Sequence, residues 1–287
     1  EGGYIISIHG LNFGRLFGNG LVLIGGGIAS VISRQHRVIH ILAAEGQGKG
    51  QQIFVQINNE TSKAFPSTFD YSPPYISSLL CPPEFSHGLP TSGTYNNGSR
   101  VRVSLLGDNF GVGRDITIFF GEEDQGMIAT DLIVQHTEVQ FLVPPGEGQN
   151  LSVSIRVSNQ TGTSKSIFSV QYLKPEIVSI YPANIDIGFP TSGCQKFEKY
   201  ILAPAIGVVC KEPALIVVSG KNFGRPGKNV LEINDATGKS REASIRNSTH
   251  YEIIAELPQG VGATRAMVKG TGAKVGEFTL NSNSELF

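Results

Sequence analysis

Hydrophobic and polar residues alternate with a period of two over short runs along most of this chain. Such runs include Ile6 and Ile8, Val101, Val103 and Leu105, and Ile216 and Val218. Alternation of this kind is typical of β-strands with one face buried against a core. Gly, Asn and Pro break the runs every ~8 to 12 residues, and no apolar stripe at helical spacing lies between them. The pattern therefore predicts an all-β protein and excludes a parallel βαβ architecture.

One five-residue pattern, Gly-x-Asn-Phe-Gly, ends an alternating run in three places, and we call it the corner motif. Its fixed residues are Gly10, Asn12, Phe13 and Gly14, then Gly107, Asn109, Phe110 and Gly111, and finally Gly220, Asn222, Phe223 and Gly224. Further alternating runs and a Gly-bearing turn follow each copy in the same order, which indicates three copies of one structural repeat. Gly and Asn tolerate positive φ at a tight corner, and the Phe between them is suited to closing the end of a β-sandwich. We therefore interpret the motif as structural; the alternative is a ligand contact by one of the three Phe side chains.

Two of the repeats begin with a Pro-x-Ile strand, which we call the opening strand. These strands start at Pro74-Tyr75-Ile76 and at Pro175-Glu176-Ile177. They place three predicted domains at 1–73, 74–174 and 175–287. The first repeat has no opening strand before Tyr4, so it either is incomplete or takes this strand from elsewhere. The third repeat contains an insertion at 194–210 and a C-terminal tail.

These elements together resemble the IPT/TIG family, an immunoglobulin-like fold shared by plexins and some transcription factors. The resemblance rests on the opening strand, the corner motif, the Val-Pro-Pro-Gly turn at 143–146 and a closing Phe-x-Tyr strand such as Phe69 to Tyr71. It implies three tandem immunoglobulin-like β-sandwich domains. Domains of this family act as spacers and protein-recognition modules in surface receptors, and as dimerising or DNA-contacting units in certain transcription factors. Fold analogy alone does not choose between these roles.

Charge and hydropathy narrow the choice of partners. The 287 residues include 23 Lys and Arg against 24 Asp and Glu, which gives a net charge of -1. This balance provides no basic surface for nucleic acid, so a DNA-binding role is disfavoured and no nucleic acid partner is expected. No run of about 20 apolar residues is present either, so we expect no direct membrane insertion in this segment. The chain begins at Glu1 and not at Met, which suggests a processed product or a piece of a longer chain.

Cysteines and sequons favour an extracellular or cell-surface location. Cys194 and Cys210 bracket the insertion and are predicted to form a local disulfide, although three cysteines allow three single pairings, and free thiols are the alternative. Cys81 lies in a Pro-flanked linker without an obvious mate. Five Asn-x-Ser/Thr sequons occur, more than the roughly two expected by chance, and predict N-linked glycans. They are Asn59, Asn97, Asn150, Asn159 and Asn247.

Catalytic chemistry is not visible in the sequence. The six histidines are scattered, and only His36 and His40 share a close spacing, in a context that reads as turn and strand. The acidic cluster Glu122 to Asp124 is typical of a solvated hairpin tip and not of a calcium loop. Phosphate-loop spacing and a Gly-x-Ser-x-Gly elbow are both missing. We therefore predict no catalytic site, no metal site and no cofactor.

The combined expectation is an extracellular structural or adhesive protein that binds other proteins, including copies of itself. In its sharpest form, the tail Asn281 to Phe287 of one subunit would complete the open edge of the next, which would build a head-to-tail filament. Simple truncation of a longer repeat array explains the same gap. The alternatives are a ligand-binding ectodomain fragment of a plexin-like receptor and an accessory module of an enzyme.

Overall fold

The computed structural model of the chain is built from antiparallel β-strands. It describes residues 2–14, 20–58, 60–122, 126–183, 192, 194–202, 205–235, 237–259, 263–270 and 276–279. Within these ranges there is no α-helix, and a single 3-10 turn spans Pro83–Phe85. The alternating runs of the sequence coincide with strands whose apolar residues are buried, as in Glu138–Leu142 and Glu252–Glu256. The structure therefore confirms the predicted all-β, immunoglobulin-like sandwich fold.

Two compact units make up the chain, and each is described by itself. Unit 1 comprises Glu1–Pro82, Arg102–Leu142 and Ser152–Ser169. Unit 2 comprises Pro83–Val101, Val143–Leu151 and Val170–Phe287. The three domains expected at 1–73, 74–174 and 175–287 stay a prediction.

Unit 1 contains two groups of strands. The first group is β1 (Ile5–His9), β2 (Gly20–Ile24), β3 (Gly27–Arg34), β4 (Val38–Leu42), β5 (Ile53–Ile57) and β6 (Glu60–Thr61), in the order β1-β4-β3-β2-β5-β6. The long strand β3 pairs with β4 through one end and with β2 through the other, so the sheet folds over a common core. That core contains Phe13, Val22, Ile24, Ala29, Ile39, Ile41 and Val55.

The second group of unit 1 forms two four-stranded sheets. Its strands are β7 (Tyr75–Leu80), β8 (Arg102–Asp108), β9 (Ile116–Phe120), β10 (Met127–Ile128), β11 (Thr130–Val134), β12 (Glu138–Leu142), β13 (Val153–Val157) and β14 (Gln160–Thr163). One sheet has the order β11-β12-β8-β7 and the other β10-β9-β13-β14. Phe120 of one sheet meets Phe141 of the other edge to face, with ring centroids 5.9 Å apart, a geometry favoured by the aromatic quadrupoles.

Unit 2 contains the third corner motif within a seven-stranded arrangement. Its strands are β15 (Glu176–Pro182), β16 (Cys194–Leu202), β17 (Ala205–Pro213), β18 (Leu215–Lys221), β19 (Asn229–Asp235), β20 (Ser240–Ser248), β21 (Glu252–Glu256), β22 (Ala263–Gly270) and β23 (Gly276–Thr279). Seven of these strands form one sheet, in the order β15-β18-β21-β20-β19-β22-β23. Phe223, Ile216, Val218, Ile253 and Leu231 lie at the centre of the core.

The insertion predicted at 194–210 folds as a separate hairpin. Strands β16 and β17 pair only with each other, from Cys194 opposite Pro213 to Leu202 opposite Ala205. The hairpin therefore extends slightly beyond the predicted range. A disulfide joins Cys194 to Cys210, whereas Cys81 is a free, partly buried thiol whose pKa is raised by burial.

Candidate interaction surfaces

The three corner motifs adopt the same backbone conformation. Their asparagines have φ of 63°, 62° and 58°, and their final glycines have φ of 70°, 80° and 89°. Asn and Gly are the residues that accept this left-handed conformation at least cost. The Phe of each motif is buried, with 8% exposure at Phe13 and 0% at Phe110 and Phe223. Each motif therefore turns the chain out of its strand while it anchors the turn in the core.

A backbone carbonyl of a histidine holds each motif in place. The amide of Phe13 donates to the carbonyl of His36, that of Phe110 to His136, and that of Phe223 to His250, at 3.2, 3.0 and 3.1 Å. Three of the histidines that look scattered in the sequence are thus structurally equivalent. Each stands two residues before a strand, β4, β12 or β21. This shared position is the feature of the sequence that indicates their equivalence. Because the carbonyl makes the contact, the imidazole itself is not required by this bond.

In unit 1, Gln47 binds the corner motif at Gly107 to Gly111. Its Oε1 accepts a hydrogen bond from the amide of Val112, the residue directly after the motif, at 3.0 Å. Its Nε2 donates to Ser158 Oγ at 2.8 Å and to the carbonyl of Arg114. A Cβ on Gly111 would lie 2.3 Å from this Oε1. The final glycine of the motif is therefore required for the approach of Gln47 as well as for its positive φ.

In unit 2, Glu147 binds the corner motif at Gly220 to Gly224 in the same way. Its Oε2 accepts from the amide of Arg225, again the residue directly after the motif, at 2.9 Å. The guanidinium of Arg225 donates to the same carboxylate from Nε and Nη2, at 3.0 and 2.9 Å to Oε1. These bonds raise the pKa of Arg225. The Glu147 side chain is only 4% exposed against 39% for Arg225, so the carboxylate is the buried partner of the pair.

Gln47 and Glu147 occupy equivalent positions, and we call them the junction residues. Gln47 stands between Gly46 and Gly48, and Glu147 stands between Gly146 and Gly148. Each lies within one repeat and contacts the residue directly after the corner motif of the next repeat along the chain. The corner motif thus has a second role, as a docking point, which sequence reasoning missed. The feature of the sequence that points to the junction residues is a polar residue between two glycines, Gly-Gln-Gly and Gly-Glu-Gly. The third repeat has Val261 at this position, which lies outside the described residues.

The closing tyrosines hold the turns that carry the junction residues. Tyr71 donates its hydroxyl to the carbonyl of Ala44 at 3.0 Å, and Tyr172 donates to that of Pro144 at 2.8 Å. Burial raises the pKa of both phenols, and the Glu147 carboxylate adds to the rise at Tyr172. Both hydroxyls therefore stay protonated and remain donors. The predicted closing strand thus positions the residue that contacts the next repeat.

Further hydrogen bonds surround Glu147 within unit 2. Asn222 of the corner motif accepts a bond from the amide of Thr91 at 3.4 Å, and Thr91 Oγ1 lies 3.0 Å from His250 Nδ1. The hydroxyl of Tyr251 lies 3.0 Å from Ser92 Oγ. Burial lowers the pKa of His250, and the Glu147 carboxylate opposes this effect in part.

This half-buried histidine predicts a pH dependence of the stability. Its folded-state pKa lies below its ordinary value of about 6.5, so the unfolded chain binds the proton more readily. The free energy of unfolding should therefore fall as the pH drops from about 7.5 to about 5.5. Thermal unfolding across this range tests the expectation, with His250→Gln flattening the response and His87→Gln, an exposed site, leaving it intact. Equal pH responses in wild type and His250→Gln would contradict it.

The first repeat differs from the others at one sheet edge. In the second and third repeats an opening strand, β7 or β15, covers the strand that leads into the corner motif. In the first repeat that strand is β1, which pairs with β4 on one side and forms the edge of its sheet. No opening strand for this repeat is present among residues 2–14 and 20–58. The gap seen in the sequence is thus an open β-edge in the described part of unit 1.

A matched pair of glycine substitutions tests this difference. A Cβ on Gly107 would lie 1.9 Å from the carbonyl oxygen of Tyr75 in β7, whereas the three atoms nearest a Cβ on Gly10 all belong to the Phe13 ring. Gly107→Ala should therefore displace β7 and cost about 3 kcal/mol of unfolding free energy. Gly10→Ala should cost less. Denaturant unfolding with hydrogen exchange of β7 measures both, and equal losses would contradict the assignment.

The sequon asparagines lie in different settings. Four of them are exposed: Asn97, Asn150, Asn159 and Asn247. The side chain of Asn159 is engaged within unit 1, where Oδ1 accepts from the amide of Lys49 at 2.8 Å and Nδ2 donates to its carbonyl at 3.3 Å. An N-linked glycan would be attached at this Nδ2. Asn59 lies outside the described residues, and glycan occupancy at all five sites stays a prediction.

Neither a metal-binding cluster nor a membrane-spanning helix occurs in the described ranges. They contain no group of three His, Cys, Asp or Glu residues placed to hold a metal ion. Of the acidic cluster, Glu122 is described, whereas 123 and 124 lie outside the described residues. No described helix is long and apolar enough to cross a bilayer.

Comparison with known proteins gives a domain assignment. A model of the IPT/TIG domain matches residues 83–172, whereas no curated protein sequence matches the chain. The extracellular region of plexin A4 superposes with a TM-score of 0.29 at 13% identity, over 97% of this chain and 20% of plexin. The surface glycan-binding protein PbSGBP-B from Prevotella bryantii superposes with a TM-score of 0.38 at 12% identity, over 80% of this chain and 59% of that protein.

SGBP-B from a xyloglucan utilization locus in Bacteroides uniformis gives a TM-score of 0.26 at 12% identity, over 97% of this chain and 92% of that one. This chain therefore spans less than two thirds of the plexin A4 and Prevotella bryantii structures. The superpositions are too loose to support functional transfer, and the assignment rests on the family model. IPT/TIG domains are non-catalytic binding modules, and no enzyme family is indicated. Residues 83–172 of this chain therefore form an IPT/TIG domain.

Proposed function

We propose that this chain is an extracellular structural and adhesive protein whose tandem repeats are docked to one another and mediate protein-protein interaction. The observation that carries the proposal is the junction contact, in which a polar side chain of one repeat binds the corner motif of the next. This contact occurs in unit 1 through Gln47 and in unit 2 through Glu147.

The chemistry of the junctions suits a mechanical role. Hydrogen bonds to an ionised group are stronger and more directional than neutral ones, and the Arg225–Glu147 pair adds several of them around one buried carboxylate. Bonds with such fixed geometry oppose rotation of one repeat against the next. Repeats held in this way present their exposed faces to partners at a defined spacing, which is what a structural or adhesive protein requires.

Support for an extracellular location comes from the Cys194–Cys210 disulfide and the exposed sequons. Disulfides persist in oxidising compartments and are rare in the cytosol, and N-linked glycans are added only on the secretory route. Expression of the full chain behind a secretion signal should yield a folded product that loses mass on enzymatic deglycosylation. Antibody labelling of intact cells that carry the gene should show surface or extracellular protein. Labelling confined to the cytosol or nucleus would overturn the proposal.

Head-to-tail self-association is the finer form of this proposal. The open edge of β1 offers an acceptor for a strand of another subunit, and strand addition is an established mode of assembly. The tail 281–287 lies outside the described residues. Sedimentation velocity over a wide range of concentrations should show assembly that deletion of 281–287 abolishes. A strict monomer at every concentration would exclude the filament while leaving the junction contacts untouched.

A further inference from the structure

A cavity of about 550 Å³ lies in unit 2 beside the third corner motif. One wall is formed by side chains from residues 84–97 of the second repeat, and the other by Lys221, Asn222 and Tyr251 of the third. The volume falls within the range of ~300 to 1,000 Å³ that is typical of sites for small organic ligands. A ligand seated here would therefore touch both repeats.

Two aromatic rings form one side of this cavity. Phe85 and Tyr95 have ring centroids 5.3 Å apart at an interplanar angle of 48°, and both residues line the cavity. Both are only partly buried, so part of each ring surface remains available to a ligand. The face of an aromatic ring is electron-rich and apolar, which suits the C–H groups on one face of a sugar ring. The aromatic side of the cavity therefore has the chemistry of a saccharide site.

The remaining polar groups favour an uncharged ligand. The charged residues that line the cavity are two acidic and one basic, namely Glu84, Glu176 and Lys221, so they offer no excess of positive charge for an anion. Three hydroxyls lie together, since that of Tyr251 is 3.0 Å from Ser92 Oγ and 3.2 Å from Thr94 Oγ1. Hydroxyls both donate and accept hydrogen bonds. They match the hydroxyl and acetamido groups of a neutral sugar.

The sequon asparagine Asn97 stands on the rim of the cavity. A tight hairpin carries it, in which the amide of Gly98 donates to the carbonyl of Tyr95 at 2.9 Å and the amide of Tyr95 donates to the carbonyl of Ser99 at 2.8 Å. Gly98 has φ of 83°, a conformation that glycine accepts without strain. The hairpin places Tyr95 and Asn97, two residues apart, against the same cavity.

The carboxamide of Asn97 is oriented for glycan attachment. Its Oδ1 accepts from the amide of Ser99 at 3.0 Å and from the hydroxyl of Ser99 at 2.7 Å. Because a backbone amide only donates, the bonded atom is the oxygen, and Nδ2, which carries an N-linked glycan, lies on the other side of the group. Among the five sequons, Asn97 alone has an aromatic residue two positions before it. Asn97 is therefore the sequon best placed to lay a sugar on an aromatic ring.

We propose that an N-linked glycan on Asn97 occupies this cavity, with its first N-acetylglucosamine against Tyr95 and Phe85. On attachment, Nδ2 loses a proton and bonds to C1 of the sugar, while the bond from C1 to the diphosphate of a lipid-linked oligosaccharide breaks and the lipid diphosphate leaves. The host secretory pathway supplies this donor. The seated glycan spans from the second repeat to the third and reinforces their junction. The inference rests on the proposed extracellular location.

The full chain secreted by cultured eukaryotic cells tests the glycan, with mass spectrometry of glycopeptides to measure occupancy at Asn97. Asn97→Gln should lower the thermal midpoint of this protein by about 3 °C more than it does in bare chain from a bacterial periplasm. The bare chain corrects for the lost hydrogen bonds to Ser99. Asn247→Gln, an exposed sequon in β20, should show no such difference. A secreted chain bare at Asn97 but glycosylated elsewhere would overturn the inference.

Contact with the ring is tested separately. Tyr95→Ala should lower the thermal midpoint more in the glycosylated chain than in the bare chain. Trimming every glycan to its first sugar should preserve this difference, because only that sugar lies on the ring. Nuclear Overhauser effects between the protons of the Tyr95 ring and the first sugar should be visible in the trimmed protein. Their absence, or equal losses in the glycosylated and bare chains, would overturn the inference.

A free sugar is the competing occupant. If the secreted chain is bare at Asn97 and binds soluble diacetylchitobiose in a manner that Tyr95→Ala abolishes, the assignment to the chain's own glycan is wrong. The proposed function is tested by labelling of the native cells, whereas this inference is tested on recombinant protein with an added secretion signal. Failure of either test therefore leaves the other result readable.

Discussion

Phe223→Ala is expected to lower the unfolding free energy of the third repeat by about 4 kcal/mol. The ring is fully buried and packs in the core formed by Ile216, Val218 and Ile253. Its loss leaves a cavity that the backbone of the corner cannot fill, because Asn222 and Gly224 hold that backbone in a left-handed conformation. The chain has no Trp, so far-UV circular dichroism during denaturant unfolding is a suitable measurement.

The same substitution in the first repeat is the matched control. Phe13 is slightly exposed, and its neighbours Ile6 and Ile8 are only partly buried. Phe13→Ala should therefore cost clearly less unfolding free energy than Phe223→Ala. Cavity cost depends on how completely the surroundings enclose the deleted atoms. If Phe223→Ala cost less than about 1 kcal/mol, the ring would not be a core residue. The alternative reading, a ligand contact by the Phe of the motif, would then gain support.

Glu147→Ala is expected to destabilise the same region by about 2 kcal/mol. The buried carboxylate accepts from the Arg225 amide and guanidinium, and its removal leaves that amide without its partner. Loss of one member of a fully buried ion pair costs more, but the Arg225 side chain is partly exposed and can regain water. Hydrogen exchange at the Arg225 amide, combined with denaturant unfolding, measures the effect.

Glu147→Gln separates the charge from the hydrogen bond. The carboxamide still offers an oxygen to the Arg225 amide, as Gln47 does to Val112. Glu147→Gln should therefore lose only about half as much unfolding free energy as Glu147→Ala. Arg225→Gln should lose more unfolding free energy than Glu147→Gln, because it leaves the buried Glu147 carboxylate without its counter-charge. A Glu147→Ala protein with unchanged exchange at the Arg225 amide would show that the junction contact is not stabilising in solution.

Local sequence patterns were sufficient to predict the strands and the three corners. Alternation of apolar residues reports which face of a strand is buried, and Gly-x-Asn-Phe-Gly reports a backbone conformation that few other residues accept. Both depend on residues close together in the chain. The predicted strand pattern and the matching conformations of Asn12, Asn109 and Asn222 follow from this short-range information.

The junction contacts could not be predicted in the same way. Gln47 contacts Val112, and Glu147 contacts Arg225, across more than 60 residues of chain. A glutamine or glutamate between two glycines is also the composition of an ordinary exposed turn. The hydrogen bonds to the histidine carbonyls could not be predicted for a different reason. Every residue has a backbone carbonyl, so the residue type does not indicate which carbonyl accepts the bond.

The sequence by itself determined that this protein is all-β and that its corner motif recurs three times. These features are encoded by periodicity and by the conformational preferences of Gly, Asn and Pro, which act over a few neighbouring residues. Only the tertiary structure decided that the corner motif receives Gln47 or Glu147 from the preceding repeat and that β1 lies at the edge of its sheet in the described part of unit 1. Such contacts join residues remote in sequence, and no local pattern states which distant atom completes a hydrogen bond.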